Sequence, residues 1–106
     1  MKTLMLLAAL SCVAPLAAAS SSASPMLVTA YCLRGTTATG DQTARGSIAV
    51  DPAVIPLGRR VWVQGYGWGH ADDTGSAIRG RHIDVWMATC TATLRWGARQ
   101  RLVAVG

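Results

Sequence analysis

Carboxylate chemistry in this chain must come from five side chains. The sequence has no glutamate, and its aspartates are Asp41, Asp51, Asp72, Asp73 and Asp84. Three of them stand out by context: Ile48-Ala49-Val50-Asp51, Asp73-Thr74-Gly75 and Ile83-Asp84-Val85-Trp86 each place an acid at the end of, or inside, an apolar strand-like run. An acid in such a run is costly unless it is paired, hydrogen-bonded or functional. Burial also raises the pKa of a carboxyl, which is the property a general acid near neutral pH requires. Three such acids in one small domain point to an acid/base site.

Other chemistries fit less well. Asp73-Thr74-Gly75 matches one half of an aspartic protease dyad, in which two carboxylates share a proton. It equally matches a structural turn that caps its own backbone. His70, His82 and the aspartates show no metal-ligand spacing, so neither a metal nor another cofactor is expected. A nucleophilic cysteine needs a thiolate, typically at a helix N-terminus, whereas Cys32 ends the strand-like Leu27-Val28-Thr29-Ala30-Tyr31. Cys32 and Cys90 instead form an even pair in an exported chain, and a disulfide is the expectation. Closing a loop of almost sixty residues is worth up to ~4 kcal/mol in the chain-entropy model.

Export is read from the first nineteen residues. Met1-Lys2, the apolar Leu4–Leu10 and the cleavage-like Ala17-Ala18-Ala19 make a secretory signal peptide, too short for a membrane span. A lipoprotein processing site at Cys12 is the alternative, though few residues precede it. Stable membrane insertion is not expected, and the product is periplasmic, extracellular or in the cell wall. Removing residues 1–19 from the 106 leaves 87 and takes away Lys2, so the net charge of +5 becomes +4, with arginine the only remaining cation type besides histidine. Those arginines are dispersed and the chain is exported, which argues against nucleic acid as partner.

The elements that must position the acids are short. Residues 20–26 read as a flexible tether, and residues 27–106 as the domain. Strands are expected over Leu27–Cys32, Ser47–Val50, Arg60–Gln64, His70–Thr74, Arg81–Met87 and Leu102–Val105, with one helix over Thr91–Trp96 ending at Gly97. Gly65–Gly69 reads as a glycine-rich corner, and Trp62 and Trp86 as core residues. Short, regularly spaced strands with almost no helix argue a small closed all-β barrel.

Several segments, in order, carry a resemblance: Val28-Thr29-Ala30-Tyr31-Cys32, Gly46-Ser47-Ile48-Ala49-Val50-Asp51-Pro52, Ile55-Pro56-Leu57-Gly58, Gly65-Tyr66-Gly67 and Ala71–Met87 with its Asp-Thr-Gly and Ile-Asp-Val motifs. This pattern resembles the 3D-domain family, named for three aspartates and related to the catalytic domain of MltA-type lytic transglycosylases. The resemblance implies a six-stranded double-psi β-barrel with at most one short helix, acting as a monomer on peptidoglycan glycan strands. It implies cleavage of the β-1,4 bond between N-acetylmuramic acid and N-acetylglucosamine with a 1,6-anhydro product. Asp84 matches the family's general acid/base, and Asp73 and Asp51 complete the trio. Thr74, Gly75, Arg79, Arg81 and Trp68 are the expected substrate-binding residues, the arginines through carboxylates and Trp68 by stacking. The rival reading is an expansin-like barrel that binds wall glycan without cutting it.

Overall fold

Side-chain alternation decides which residues enter the barrel. In Ser24–Tyr31 (β1), Met26 and Val28 are buried; in Arg60–Val63 (β3), Val61 and Val63; in His82–Trp86 (β5), Ile83 and Val85. The intervening residues face outward, as a period of two requires. A computed structural model describes residues 23–106, so the expected signal peptide and Cys12 lie outside the described residues. The remaining strands are Ser47–Ala49 (β2), Gly67–Asp73 (β4) and Arg99–Val105 (β6), with one helix among the described residues, Cys90–Trp96 (α1). The barrel closes in the order β1-β5-β2-β4-β3-β6. β1 runs parallel to β5 and β2 parallel to β4, and the two pairs join through the antiparallel β2–β5 contact. The all-β class, the six strands and the single short helix are as expected.

The core is filled by Val, Ile and Met side chains, with Val28, Ile48, Val50, Val61, Val63, Ile83 and Val85 fully buried. Each such side chain contributes about 1.5–3 kcal/mol. One close backbone approach sets the spacing of β2 against β4. A Cβ on Gly69 would lie 2.5 Å from the Gly46 carbonyl oxygen and 2.8 Å from Ile48 Cδ1. Tyr66, also buried, accepts a hydrogen bond from the Gly46 N–H (2.8 Å) and donates to the Trp86 carbonyl (2.7 Å), tying three segments together.

The expected disulfide is present: Cys32, just after β1, is bonded to Cys90 at the start of α1, with a Cα–Cα separation of 5.2 Å. Thr89 caps that helix through its hydroxyl, which accepts from the Ala92 N–H at 3.1 Å. Gly97 ends it at a φ of 69°.

Some boundaries differ from the sequence reading. β1 begins at Ser24, inside the segment read as tether, because Ser24 and Pro25 pair with Val103 and Leu102 of β6. β4 begins at Gly67, within the glycine-rich corner, and β6 begins at Arg99. Trp62 faces outward, opposite Trp68 in the β3–β4 pair, and is only half-buried. Val61 and Val63 already occupy the inward positions there.

Candidate functional site

β2 is the bridge between two of the three aspartates. Ala49 pairs with Asp84 of β5 on one side and with Asp73 of β4 on the other. Two interstrand spacings separate those acids, roughly 10 Å between backbones. On β4 the register jumps from Ala71 opposite Ile48 to Asp73 opposite Ala49. Asp72 is thus the extra residue of a β-bulge, and alternation breaks there. Ala71 and Asp72 are both buried, while Asp73 emerges on the outer face.

Asp84 sits mid-strand and half-buried. Burial pushes its carboxyl above the usual carboxylate range, and the negative charge of Asp73 adds to this, whereas the Thr29 hydroxyl and His82 act in the opposite direction. Thr29, its register partner on β1, donates from Oγ1 to Asp84 Oδ1 at 2.9 Å. The same oxygen lies 2.8 Å from His82 Nε2. A hydroxyl has one proton, so when it is given to Asp84, Nε2–H of His82 must be the donor to Thr29. The result is an ordered chain from His82 through Thr29 to Asp84.

Asp73 is held differently. Its Oδ1 accepts from the N–H groups of Ala38 (3.1 Å) and Thr74 (2.9 Å), and Tyr31 Oη lies 3.5 Å from Oδ2. Burial, followed by the charge of Asp73, raises the Tyr31 phenol far above its ordinary value, so its proton stays on and the group is a donor only toward the acids. Asp51 lies at the top of a turn. Oδ2 accepts from the Gly80 N–H at 2.8 Å and Oδ1 from the Ala53 N–H at 3.0 Å, and these two donors hold its carboxyl below the usual range. Asp51 therefore fastens the loop after β2 to the loop before β5.

Two hollows join these acids. One, of about 280 Å³, is lined by Tyr31, Asp73 and Asp84 among others; the second, of about 340 Å³, by Asp51 and Arg79. They share Thr74, Gly75 and Ile78 and so form one groove. The structure brings Asp84, Asp73, Asp51, Thr74, Gly75 and Arg79 together along it. Arg81 and Trp68 stand apart. Arg81 donates to Ser24 Oγ and the Pro25 carbonyl at the start of β1. Trp68 is exposed near the opposite end of β4, with the Arg60 guanidinium 4.2 Å from its ring centre.

Sequence reasoning missed Thr29, His82 and Tyr31 as neighbours of the acids. Only the parallel β1–β5 register, which puts Thr29 opposite Asp84 and Leu27 opposite His82, reveals them. It also missed that Asp41, His70 and Asp72 each bring a ligating atom within 4.8 Å of the others. Asp72 is engaged there by Ser47 Oγ at 2.9 Å and His70 Nε2 at 3.3 Å, which partly offsets its burial.

The family model described as the 3D domain matches residues 46–105. The chain is similar to the cell wall-binding protein YocH of Bacillus subtilis (strain 168), with 44% identity over 77 residues that cover 69% of this chain and 27% of YocH. It is also similar to YabE of the same organism, named for cell wall shaping, with 58% identity over 50 residues covering 47% of this chain and 12% of YabE. The chain thus spans less than a third of the length of either relative.

Proposed function

The chain belongs to the 3D-domain family, and from that premise we propose that it is an exported lytic transglycosylase acting on the glycan strand of peptidoglycan. The family, the wall-related names of two relatives and the disulfide support an exported, cell-wall-related role. The observation that carries the enzymatic reading is the contrast between two acids of one groove. Burial favours the protonated form of Asp84, while Asp73 is fixed in place by two backbone N–H groups.

A transglycosylase needs fewer carboxyl groups than a hydrolase, because the sugar supplies its own nucleophile. Asp84 gives its proton to the glycosidic oxygen as the C1–O bond breaks. The resulting carboxylate takes the proton of the C6 hydroxyl, whose oxygen closes on C1 to leave the 1,6-anhydro sugar. Positive charge develops on the ring in such a step. Asp73, anchored and facing the same groove, supplies opposite charge near it, and Arg79 with Thr74 and Gly75 lines the path of the strand. Asp51 sets the loop that carries them.

The second reading, a barrel that binds wall glycan without cutting it, is favoured by the name of YocH, a cell wall-binding protein. One experiment separates the two. Purified protein is incubated with sacculi and the soluble products are read by mass spectrometry. The enzymatic reading expects 1,6-anhydro-muropeptides; intact glycan with the protein bound to it refutes cleavage.

A further inference from the structure

A cavity of about 580 Å³ among the described residues does not contain the aspartates. It opens between α1 and the glycine-rich turn, and Arg45, Arg95, Arg101, Tyr66, Trp86 and Trp96 define its chemistry. Its cations are uncompensated: among the described residues the one ion pair is His70–Asp72, so no carboxylate lies within 4 Å of these three guanidiniums.

Two guanidiniums lie over aromatic rings. Arg101 lies 3.5 Å from the Trp96 ring centre and Arg45 4.1 Å from that of Tyr66. Arg45 Nη2 is fixed by the Tyr66 carbonyl at 2.7 Å. A stacked guanidinium presents its N–H edge sideways, the geometry suited to an oxyanion. Gly65, at a φ of 85°, makes the Arg101 stack possible, since a Cβ there would lie 2.9 Å from Arg101 Nη1. Two buried N–H donors at the same place, Trp96 Nε1 and Arg101 Nε, have no protein acceptor. Buried donors without acceptors are uncommon and mark a place where a ligand or water supplies one.

The cavity adjoins the groove. Trp86, two residues beyond Asp84, lines the cavity, and Arg34, which lines the Asp84 hollow, has its guanidinium 5.3 Å from the Trp86 ring centre. Met87, Ala88 and Ala92 add small apolar surface. The volume falls in the range of small-ligand sites.

We infer that this cavity is a subsite for a carboxylate-bearing peptide with small side chains, the stem peptide attached to the glycan strand. The choice of this ligand rests on the wall-glycan reading of the groove; the oxyanion chemistry does not. An uncompensated cluster of arginines selects negative charge, the aromatic and alanine surface selects an apolar body beside it, and the contact of Arg34, from the Asp84 hollow, with Trp86, from the cavity, places the two side by side.

The test is binding by calorimetry, with four probes: the N-acetylglucosaminyl-N-acetylmuramyl disaccharide, the same disaccharide bearing its stem peptide, that muropeptide with its carboxyls amidated, and a glycerol-phosphate oligomer. The disaccharide lacks the scissile bond, so binding is read without cleavage. The peptide-bearing form should bind about tenfold or more tightly than the bare disaccharide, the magnitude of one charge-assisted hydrogen bond. Amidation should abolish that gain. Arg45→Gln and Arg95→Gln, both at exposed positions and so compatible with folding, should each reduce it several-fold, and Arg101→Lys should retain more of it than Arg101→Gln. Equal binding of the bare and peptide-bearing forms overturns the inference, as does tighter binding of the glycerol-phosphate oligomer. Peptide-dependent binding without anhydro products from sacculi leaves the subsite standing and removes the cleavage reading. Anhydro products without peptide-dependent binding do the reverse.

Discussion

The hydroxyl of Thr29 is the most direct handle on the acid/base assignment. It donates to Asp84 Oδ1 at 2.9 Å and so favours the ionised carboxyl. Thr29→Val keeps the shape and removes that bond. A hydrogen bond to a charged group is worth about 1.5–3 kcal/mol, or about 1–2 pKa units at 1.36 kcal/mol each. Asp84 is only half-buried, and solvent screening puts the effect at the lower end, about one unit upward. A general acid must be protonated, so activity falls as pH rises through its pKa. The alkaline limb of anhydro-muropeptide release should therefore move up by about one pH unit in Thr29→Val and stay in place in Thr29→Ser. Asp84→Asn should lower release by at least ~10²-fold, the contribution of a general acid. Its stability should follow the opposite course. A carboxyl whose folded pKa is raised makes a contribution that is fully present below the unfolded value and is lost as pH rises through the folded one. Asp84→Asn abolishes that loss, so its melting temperature relative to the native protein should rise between pH 4 and pH 7. An alkaline limb that does not move in Thr29→Val, or an Asp84→Asn protein that releases product at the native rate, would refute the assignment.

Three further outcomes test the framework of the site. Removing the disulfide by Cys32→Ser with Cys90→Ser frees a segment with a sequence separation of 58 and should cost about 4 kcal/mol in the chain-entropy model, read from urea unfolding. Gly69→Ala should cost about 3 kcal/mol, the upper end for overpacking, because the new methyl meets the Gly46 carbonyl as well as a side chain, and β2 must shift; a normal melting curve would show that the barrel yields there. Asp51→Asn leaves one acceptor oxygen where the carboxylate serves two N–H groups, those of Gly80 and Ala53. The depressed pKa of Asp51 gives stability that is present above the unfolded value and lost as pH falls through the folded one, so the variant should lag the native protein at pH 7 and match it near pH 2.

Legibility differed by what each feature depends on. Strand positions follow from alternation, as in Arg60–Gln64, but the inward face there does not, since the sequence reading puts Trp62 in the core where Val61 and Val63 lie. The end of helix α1 followed from Gly97, while its cap at Thr89 is visible only in the structure. Strand ends did not, because they depend on partners: β1 reaches Ser24 only because β6 runs far enough to pair with it. The three aspartates were legible by type and motif, and their surroundings were not. Thr29 meets both Asp84 and His82 across a parallel pair of strands more than fifty residues apart in sequence, and no local pattern reports a long-range register. Arg81 is assigned to the site by its nearness in sequence to Asp84, and Trp68 by its glycine-rich corner. In the barrel, Arg81 serves the β1 start and Trp68 lies toward the far end of β4 from Asp73.

The adjacent pair Asp72-Asp73 shows how one backbone irregularity assigns chemistry. In a regular β4, Ala49 would face Asp72, and a one-residue change of register exchanges the faces of every side chain. The bulge between Ala71 and Asp73 prevents this. It turns Asp72 inward to Ser47 and His70, where burial pushes its carboxyl up, and it presents Asp73 to the groove beside Tyr31 and Asp84. Two neighbouring carboxyls of identical type thus reach opposite environments without any difference in their own chemistry. The same holds across the trio. Asp51 takes two backbone donors at a turn, Asp73 takes two at a strand end, and Asp84 takes one hydroxyl in the middle of a strand. Backbone N–H groups are free to serve a carboxyl at turns and strand ends, whereas mid-strand they are consumed by the sheet. A mid-strand acid is therefore short of donors and exposed to burial at once, and under the proposed transglycosylase reading this is what suits Asp84, along β5, to carry the proton.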